Sequence, residues 1–242
     1  VAASALEPRA IEMLNPAATE ISGLATQAVG DAQAWRVVIA AAGSATVVER
    51  HARDLERMAL AAHAASFEAC NDAGGAKCLR AIREFARSAR ERSPSTTILR
   101  VALLPASAAA LAERIAGIAD AHDLSAALMV GAAGSTGMGC VALWPRSANR
   151  AKVSSAPTAD EPAEVLSERL EMSLAAAIEK VIEAASSDAG AARVFAEWCP
   201  TALKRRISLW GEAREDFVLM QRVKHIFDPH GILAPGRYCG GL

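Results

Sequence analysis

Aromatic residues are scarce in this sequence, at 4% of 242 residues with a single tyrosine. A core with so few rings must be filled by small and aliphatic side chains, and alanine, roughly a quarter of the chain, supplies them. Excess charge of either sign is also lacking: 26 Lys and Arg stand against 27 Asp and Glu, a formal net charge of −1. That balance argues against a general nucleic-acid or membrane-surface binder. No apolar run nears the roughly 20 residues that cross a bilayer, so no transmembrane segment is expected. The five cysteines (Cys70, Cys78, Cys140, Cys199, Cys239) are widely spaced and form no C-x-x-C pair. Neither a zinc site nor a disulfide framework is indicated, and buried, reduced thiols in a cytoplasmic protein are expected. The five histidines form no H-x-x-x-H or H-E-x-x-H pattern, so no metal is expected. No G-x-S-x-G element is present, and no catalytic residue can be named. Val1 in place of Met is what a processed product or a fragment would show. Glu7, Pro8, Arg9 and Glu12 interrupt any signal-peptide core.

Against these absences stand 52% hydrophobic residues and 22% charged ones, enough to bury a core. Strands are expected at Trp35 to Ala42, Thr97 to Leu104, Ala126 to Ala132, Cys140 to Trp144 and Arg193 to Trp198. Helical spacing is expected over Thr46 to Cys70, then, after a turn cluster at Asn71 to Gly75, over Ala76 to Arg92. Ser107 to Ala121 (Leu111, Ile115, Ile118) and Glu164 to Ser186 (Leu166, Leu170, Leu174, Ile178, Val181) continue the pattern. Arg146 to Glu161, rich in Ser, Ala and Pro, reads as a surface loop. Adjacent third and fourth strands imply a hairpin. The expected fold is therefore α+β and ferredoxin-like, a mostly antiparallel sheet with helices packed on one face. Residues 1–34 read as a lead-in, 35–200 as the α+β domain and 201–242 as a C-terminal helix and tail.

Two patterns invite a functional reading. The glycines between Gly131 and Gly139 precede a strand and lack a following Lys-Ser or Lys-Thr pair. They therefore read as a hairpin connection rather than a phosphate loop, with a glycine-lined wall for a flat ligand as the alternative. Lys77, Arg80, Arg83, Arg87 and Arg90 form a basic stripe. It reads as a solvated face, or as docking for an acidic partner subunit. In the last forty residues, Phe217 to Phe227 has helical spacing, Asp228-Pro229 stops it, and Ala234-Pro235-Gly236-Arg237 forms a turn.

That ending, from Met220 through Lys224, Phe227, Asp228, Pro229, Gly231, Pro235 and Gly236 to Arg237, resembles the C-terminus of FAD-linked oxidases. The family is the vanillyl-alcohol oxidase and p-cresol methylhydroxylase superfamily, whose pattern joins lysine, phenylalanine-aspartate-proline, glycine and asparagine-proline-glycine. Cys199 to Gly211 and the closing Gly236-Arg237-Tyr238-Cys239-Gly240-Gly241 are similar to one branch, the FAD-binding subunit of bacterial glycolate oxidase. The resemblance implies a cap domain that covers a flavin held by an N-terminal FAD-binding domain absent from this chain. It implies FAD as cofactor of the complete protein, little FAD binding by this piece alone, and a small 2-hydroxy acid as substrate. Other oxidase subunits are implied as partners, in a cytoplasmic setting or peripheral to the membrane through them. Within the matched motifs, Lys204 and Arg237 are the candidate substrate- or flavin-facing cations. Two departures stand out: Ala234 replaces the turn asparagine, and Gly131 to Gly139 lacks the histidine-rich motif of the metal-binding branch. The competing expectation is a non-catalytic ferredoxin-like module that assembles with other subunits through Arg80, Arg83, Arg87 and Arg90.

Overall fold

The apolar, β-branched runs become strands of one antiparallel sheet. In the computed structural model, residues 6–24, 34–131, 137–146, 163–186, 193–211 and 216–241 are described. Six strands appear among them: β1 (Ala10–Leu14), β2 (Arg36–Ala40), β3 (Thr97–Leu103), β4 (Leu124–Gly131), β5 (Gly137–Pro145) and β6 (Arg193–Trp198). Their order is β2-β1-β4-β5-β3-β6, and every neighbouring pair is antiparallel. The helices are α1 (Pro16–Ile21), α2 (Ala45–Ala61), α3 (Asp72–Arg83), α4 (Phe85–Arg90), α5 (Ala108–Ala121), α6 (Ala163–Ser186) and α7 (Phe217–Phe227).

Because side chains alternate along a strand, each strand serves two layers. Leu99, Val101, Leu128, Val130, Val141 and Leu143 point to one face and meet Leu111 and Ile115 of α5 and Leu174, Ile178 and Val181 of α6. These helical positions are buried as their spacing predicts. The expected antiparallel α+β layer is thus present, with α5 and α6 on one face. The opposite face also carries helices: Ile98, Ala127, Cys140, Ala142 and Trp144 pack with Ala18 of α1 and Phe85 and Ala89 of α4.

Residues 1–34, read as a lead-in, hold two elements whose signal was short. β1 lies between β2 and β4, and Asn15-Pro16 is an N-cap followed by proline at the first helical position. The Asn15 side-chain oxygen accepts from Ala18 N and Leu128 N at 2.9 Å each, and its Nδ2 donates to Ala126 O at 2.9 Å. One side chain thus caps α1 and lengthens the β1–β4 ladder. Asn15→Ala is expected to destabilise the domain by about 2–3 kcal/mol, one lost cap plus two stranded ladder groups. A urea titration with an unchanged m-value and a lower midpoint would record it.

Other boundaries shift for local reasons. The helix expected to reach Cys70 ends at Ala61. His63 there takes φ 55°, and the bonds Ala64 N to Ala59 O and His63 N to Leu60 O close a Schellman cap. A histidine at a position that favours glycine hid the stop. The turn cluster at Asn71 is itself a cap, its side chain accepting from Gly74 N at 2.9 Å, so α3 starts earlier than expected. The helix read over 76–92 is divided at Glu84, where Phe85 turns fully into the core. Residues 147–162, most of the expected surface loop, and 132–136, the centre of the glycine link, lie outside the described residues.

Candidate functional site

The second face of the sheet is covered unevenly. α1 and α4 close the end that holds Ile98, Ala142 and Trp144, and among the described residues the cluster they form does not extend to the other end. The ladder fixes what stands there. Glu12 lies opposite Gly131, Gly131 opposite Met138 and Met138 opposite Ala102, one row across four strands. The adjacent row runs Met129, Cys140, Arg100, Phe195. Met138 is half exposed, and the Glu12 carboxylate lies over Gly131, 3.1 Å from where a β-carbon would stand.

On this face, one strand in from the β6 edge, Arg100 is the single charged residue of β3. Ladder irregularity between Ile98 and Leu99 opposite β6 leaves Glu197 unpaired in the register, and its carboxylate pairs with the Arg100 guanidinium. Burial disfavours the Arg100 charge, but the Glu197 hydrogen bond and carboxylate, with Glu12, outweigh it and hold the cation. Burial lifts the Glu12 carboxyl above its usual range against the pull of Arg100. Burial likewise pushes the Cys140 thiol up to about 12, so it is not a nucleophile at neutral pH. The face therefore holds a partly buried cation paired with one carboxylate, Glu197, and felt at a distance by a second, Glu12, a place where an anionic group can compete for a guanidinium. Arg100 was missed in the sequence; its signal was a lone charge inside Thr97 to Leu104.

The C-terminal tail borders this face at β6. Phe195 stacks on Trp210 at 5.8 Å between ring centres, and Trp210 meets Tyr238 at 4.7 Å. Trp210 Nε1 donates to Arg237 O at 3.2 Å, which sets Arg237 beside the aromatic column. Lys204 sits apart on the short helical turn Thr201–Arg205, whose Leu203 packs into the α5–α6 layer.

The motif after α7 folds into a knot. The buried Asp228 carboxylate pairs with Lys224 and accepts from Ile232 N and Leu233 N at 2.9 Å each. Lys224 Nζ also donates to Leu233 O at 2.6 Å. The Lys224 hydrogen bond, aided by the two amides, holds the Asp228 carboxyl below its ordinary value. Stability from a depressed carboxyl is present above its unfolded-state pKa and is lost as pH falls through the native one. The Ile232 and Leu233 amides are thus expected to stay protected from exchange at neutral pH and to lose protection in acid, while Asp228→Asn removes the acid-dependent step. Gly231 and Gly236 take φ 63° and 72°, and Pro235-Gly236 fills the centre of a turn closed by Arg237 N to Ala234 O at 3.2 Å. Ala234 itself stands at φ 47°, a region alanine enters at a cost of about 1 kcal/mol and asparagine more readily. Ala234→Asn is expected to raise the melting temperature by a few degrees, about 0.5–1 kcal/mol.

Pro229 lies within the loop that the knot closes, whereas Phe227 points away from it and is 79% exposed. Ile226, Ile232, Leu233 and Leu219 are also exposed, and no residue of α7 is buried. So large an apolar surface on one short segment marks a binding face. Within the basic stripe, Arg87 pairs with Glu84 at 2.9 Å and Arg90 lies 3.6 Å over the Trp198 ring. Arg80 and Arg83 are exposed and form no ion pair among the described residues. No cluster of three metal-ligating side chains occurs among the described residues, and no described helix is long and apolar enough to cross a membrane.

Comparison with known proteins bears on this geometry. The chain matches the family model of FAD linked oxidases, C-terminal domain, over residues 1–177 and 204–238. No curated protein matches it. Among solved structures, 4-ethylphenol oxidase from Gulosibacter chungangensis, in an isoeugenol complex, is similar in fold with a TM-score of 0.56 and 14% identity. The alignment takes in 94% of this chain and 47% of that one, so this chain spans about half the length of its structural relative. The match covers β1 to β5, with Arg100 on β3, and the knot at Asp228, and on that ground the chain belongs to the family of FAD-linked oxidase C-terminal domains.

Proposed function

We propose that this chain is the cap domain of a longer FAD-dependent oxidoreductase of glycolate oxidase type, in which the open end of the sheet faces the flavin and a small 2-hydroxy acid. The carrying observation is Arg100, a partly buried cation on β3 whose guanidinium pairs with Glu197 on the second face of the sheet. The residues present suit a wall over a flavin ring: the Phe195–Trp210–Tyr238 column bounds the face with aromatic surface, and the exposed Met138 adds an apolar side chain to it. FAD, once bound by its own domain, supplies hydride acceptance from the substrate C2. The part left to this chain is to hold and orient. Arg100 would take the substrate carboxylate in place of Glu197, and Arg237 is a second cation at the border. Glu12, whose carboxyl burial raises above its usual range, would border the reacting face as an acid–base group. Lys204, on the α6 side, ranks behind both arginines. The apolar face of α7 would lie against the FAD-binding domain.

The test is turnover by the complete protein of a panel of 2-hydroxy acids, matched alcohols without the carboxylate, and alkylphenols, using an artificial electron acceptor. Oxidation of the hydroxy acids alone supports the reading; preference for the uncharged alcohols or phenols removes the role given to Arg100. A second reading, an assembly module for other subunits that keeps the protein cytoplasmic or peripheral to a membrane, is favoured by the exposed Arg80 and Arg83. Under it, charge reversal at Arg83 and Arg87 abolishes co-purification of the partner subunits with folding intact; retained assembly leaves the stripe a solvated face.

A further inference from the structure

The entry to α3 brings two thiols together that the sequence keeps eight positions apart. Asn71 caps the helix through Gly74 N, which fixes Cys70 just outside the first turn. Gly74 then makes room for it: a β-carbon on Gly74 would stand 3.1 Å from Cys70 Cβ and 3.7 Å from Cys70 Sγ. The Cys70 side chain therefore lies along the Gly74 face of the helix. One turn further on, at the i+4 position of that same face, stands Cys78. Side chains on a helix lean toward its N-terminus, so Cys78 is aimed back at the Gly74 turn where Cys70 lies. Cys70 is exposed and Cys78 partly so, whereas Cys140 and Cys199 are buried.

We infer that Cys70 and Cys78 are a reversible dithiol–disulfide site, oxidised by low-molecular-weight disulfides such as oxidised glutathione, which staples the segment before α3 onto the helix. The chemistry is ordinary exchange. The accessible Cys70 thiolate attacks one glutathione sulfur, forms a mixed disulfide and expels glutathione thiolate. The Cys78 thiolate then attacks the Cys70 sulfur, forms the protein disulfide and expels the second glutathione. Two protein thiols lose two electrons and two protons, and one oxidised glutathione becomes two reduced molecules. Desolvation, with the neighbouring Cys78 and Glu68, raises the Cys70 thiol above its ordinary value, and Arg36 pulls the other way. Exchange is therefore slow at neutral pH and accelerates as pH rises. The charged groups facing the pair are thus Glu68 and Arg36. This chain expects stable thiols at Cys140 and a responsive pair at the start of α3.

The complete protein, incubated with oxidised glutathione, acid-quenched, alkylated and weighed intact, tests this. The wild type is expected to lose about 2 Da, two hydrogens, with a tryptic map joining Cys70 to Cys78. Cys70→Ser and Cys78→Ser are each expected to stop at a stable glutathione adduct on the remaining cysteine, and Cys239→Ser to behave as wild type. Dithiothreitol should reverse the wild-type change. A wild type that accumulates the adduct at Cys70 without ring closure, or that bridges a different pair, overturns the inference. Because the wild-type map alone decides this, a variant that fails to fold does not rescue it.

Discussion

Phe227→Asp in the complete protein is expected to cost it most of its bound flavin while leaving this domain folded. Phe227 is 79% exposed at the end of α7, beside Ile226, Ile232 and Leu233. A side chain so exposed contributes little to its own domain, and surface substitutions of this kind change stability by no more than about 0.5 kcal/mol. At the centre of a domain interface the same change buries a charge without a partner. Hot-spot truncations there cost about 2–4 kcal/mol, some thirty-fold or more in docking. The expected result is a low FAD-to-protein ratio after gel filtration with the unfolding transition of this domain unmoved. Full flavin content with wild-type activity would show that α7 does not face the FAD-binding domain.

The second large effect is at Arg100. Arg100→Leu is expected to lower kcat/KM for a 2-hydroxy acid by about 10²-fold, near 3 kcal/mol, the loss of a charge-assisted bond to the substrate carboxylate. The guanidinium is partly exposed, 29%, so solvent screening keeps the figure at the low end. Glu197→Gln, which releases Arg100 from its present partner, should instead lower KM. Arg237→Ala is expected to act more weakly and mainly on KM. If Arg100→Leu turned over the hydroxy acid as the wild type does, the open face of the sheet would not be the substrate face.

How far the sequence disclosed this structure depended on the length of each signal. Long periodic segments were legible: α5 buries Leu111 and Ile115 and half-buries Ile118, α6 buries Leu174, Ile178 and Val181 and half-buries Leu170, and the hairpin of β4 and β5 follows from adjacent apolar runs. Short elements were not. β1 and α1 rest on five and six residues, and their clearest mark was the Asn15-Pro16 pair. The end of α2 was hidden because His63, rather than glycine, adopts the left-handed conformation there. The tail motif was legible as a pattern, and the structure divides its members by what they do. Lys224 and Asp228 tie the backbone, Gly231 and Gly236 turn it, and Phe227 is left facing outward. A pattern of residue types carries no such division, because it does not say which side chains point inward. Arg100 was overlooked for a similar reason: its significance comes from strands distant in sequence, which place Glu12 and Glu197 around it.

The account rests on this domain closing over a flavin in a longer protein. The visible absorbance spectrum of the complete gene product, recorded anaerobically before and after glycolate, tests that most directly. A yellow protein whose flavin band is bleached by the hydroxy acid is the predicted result. A colourless product, or a flavin that stays oxidised with every 2-hydroxy acid offered, would contradict it.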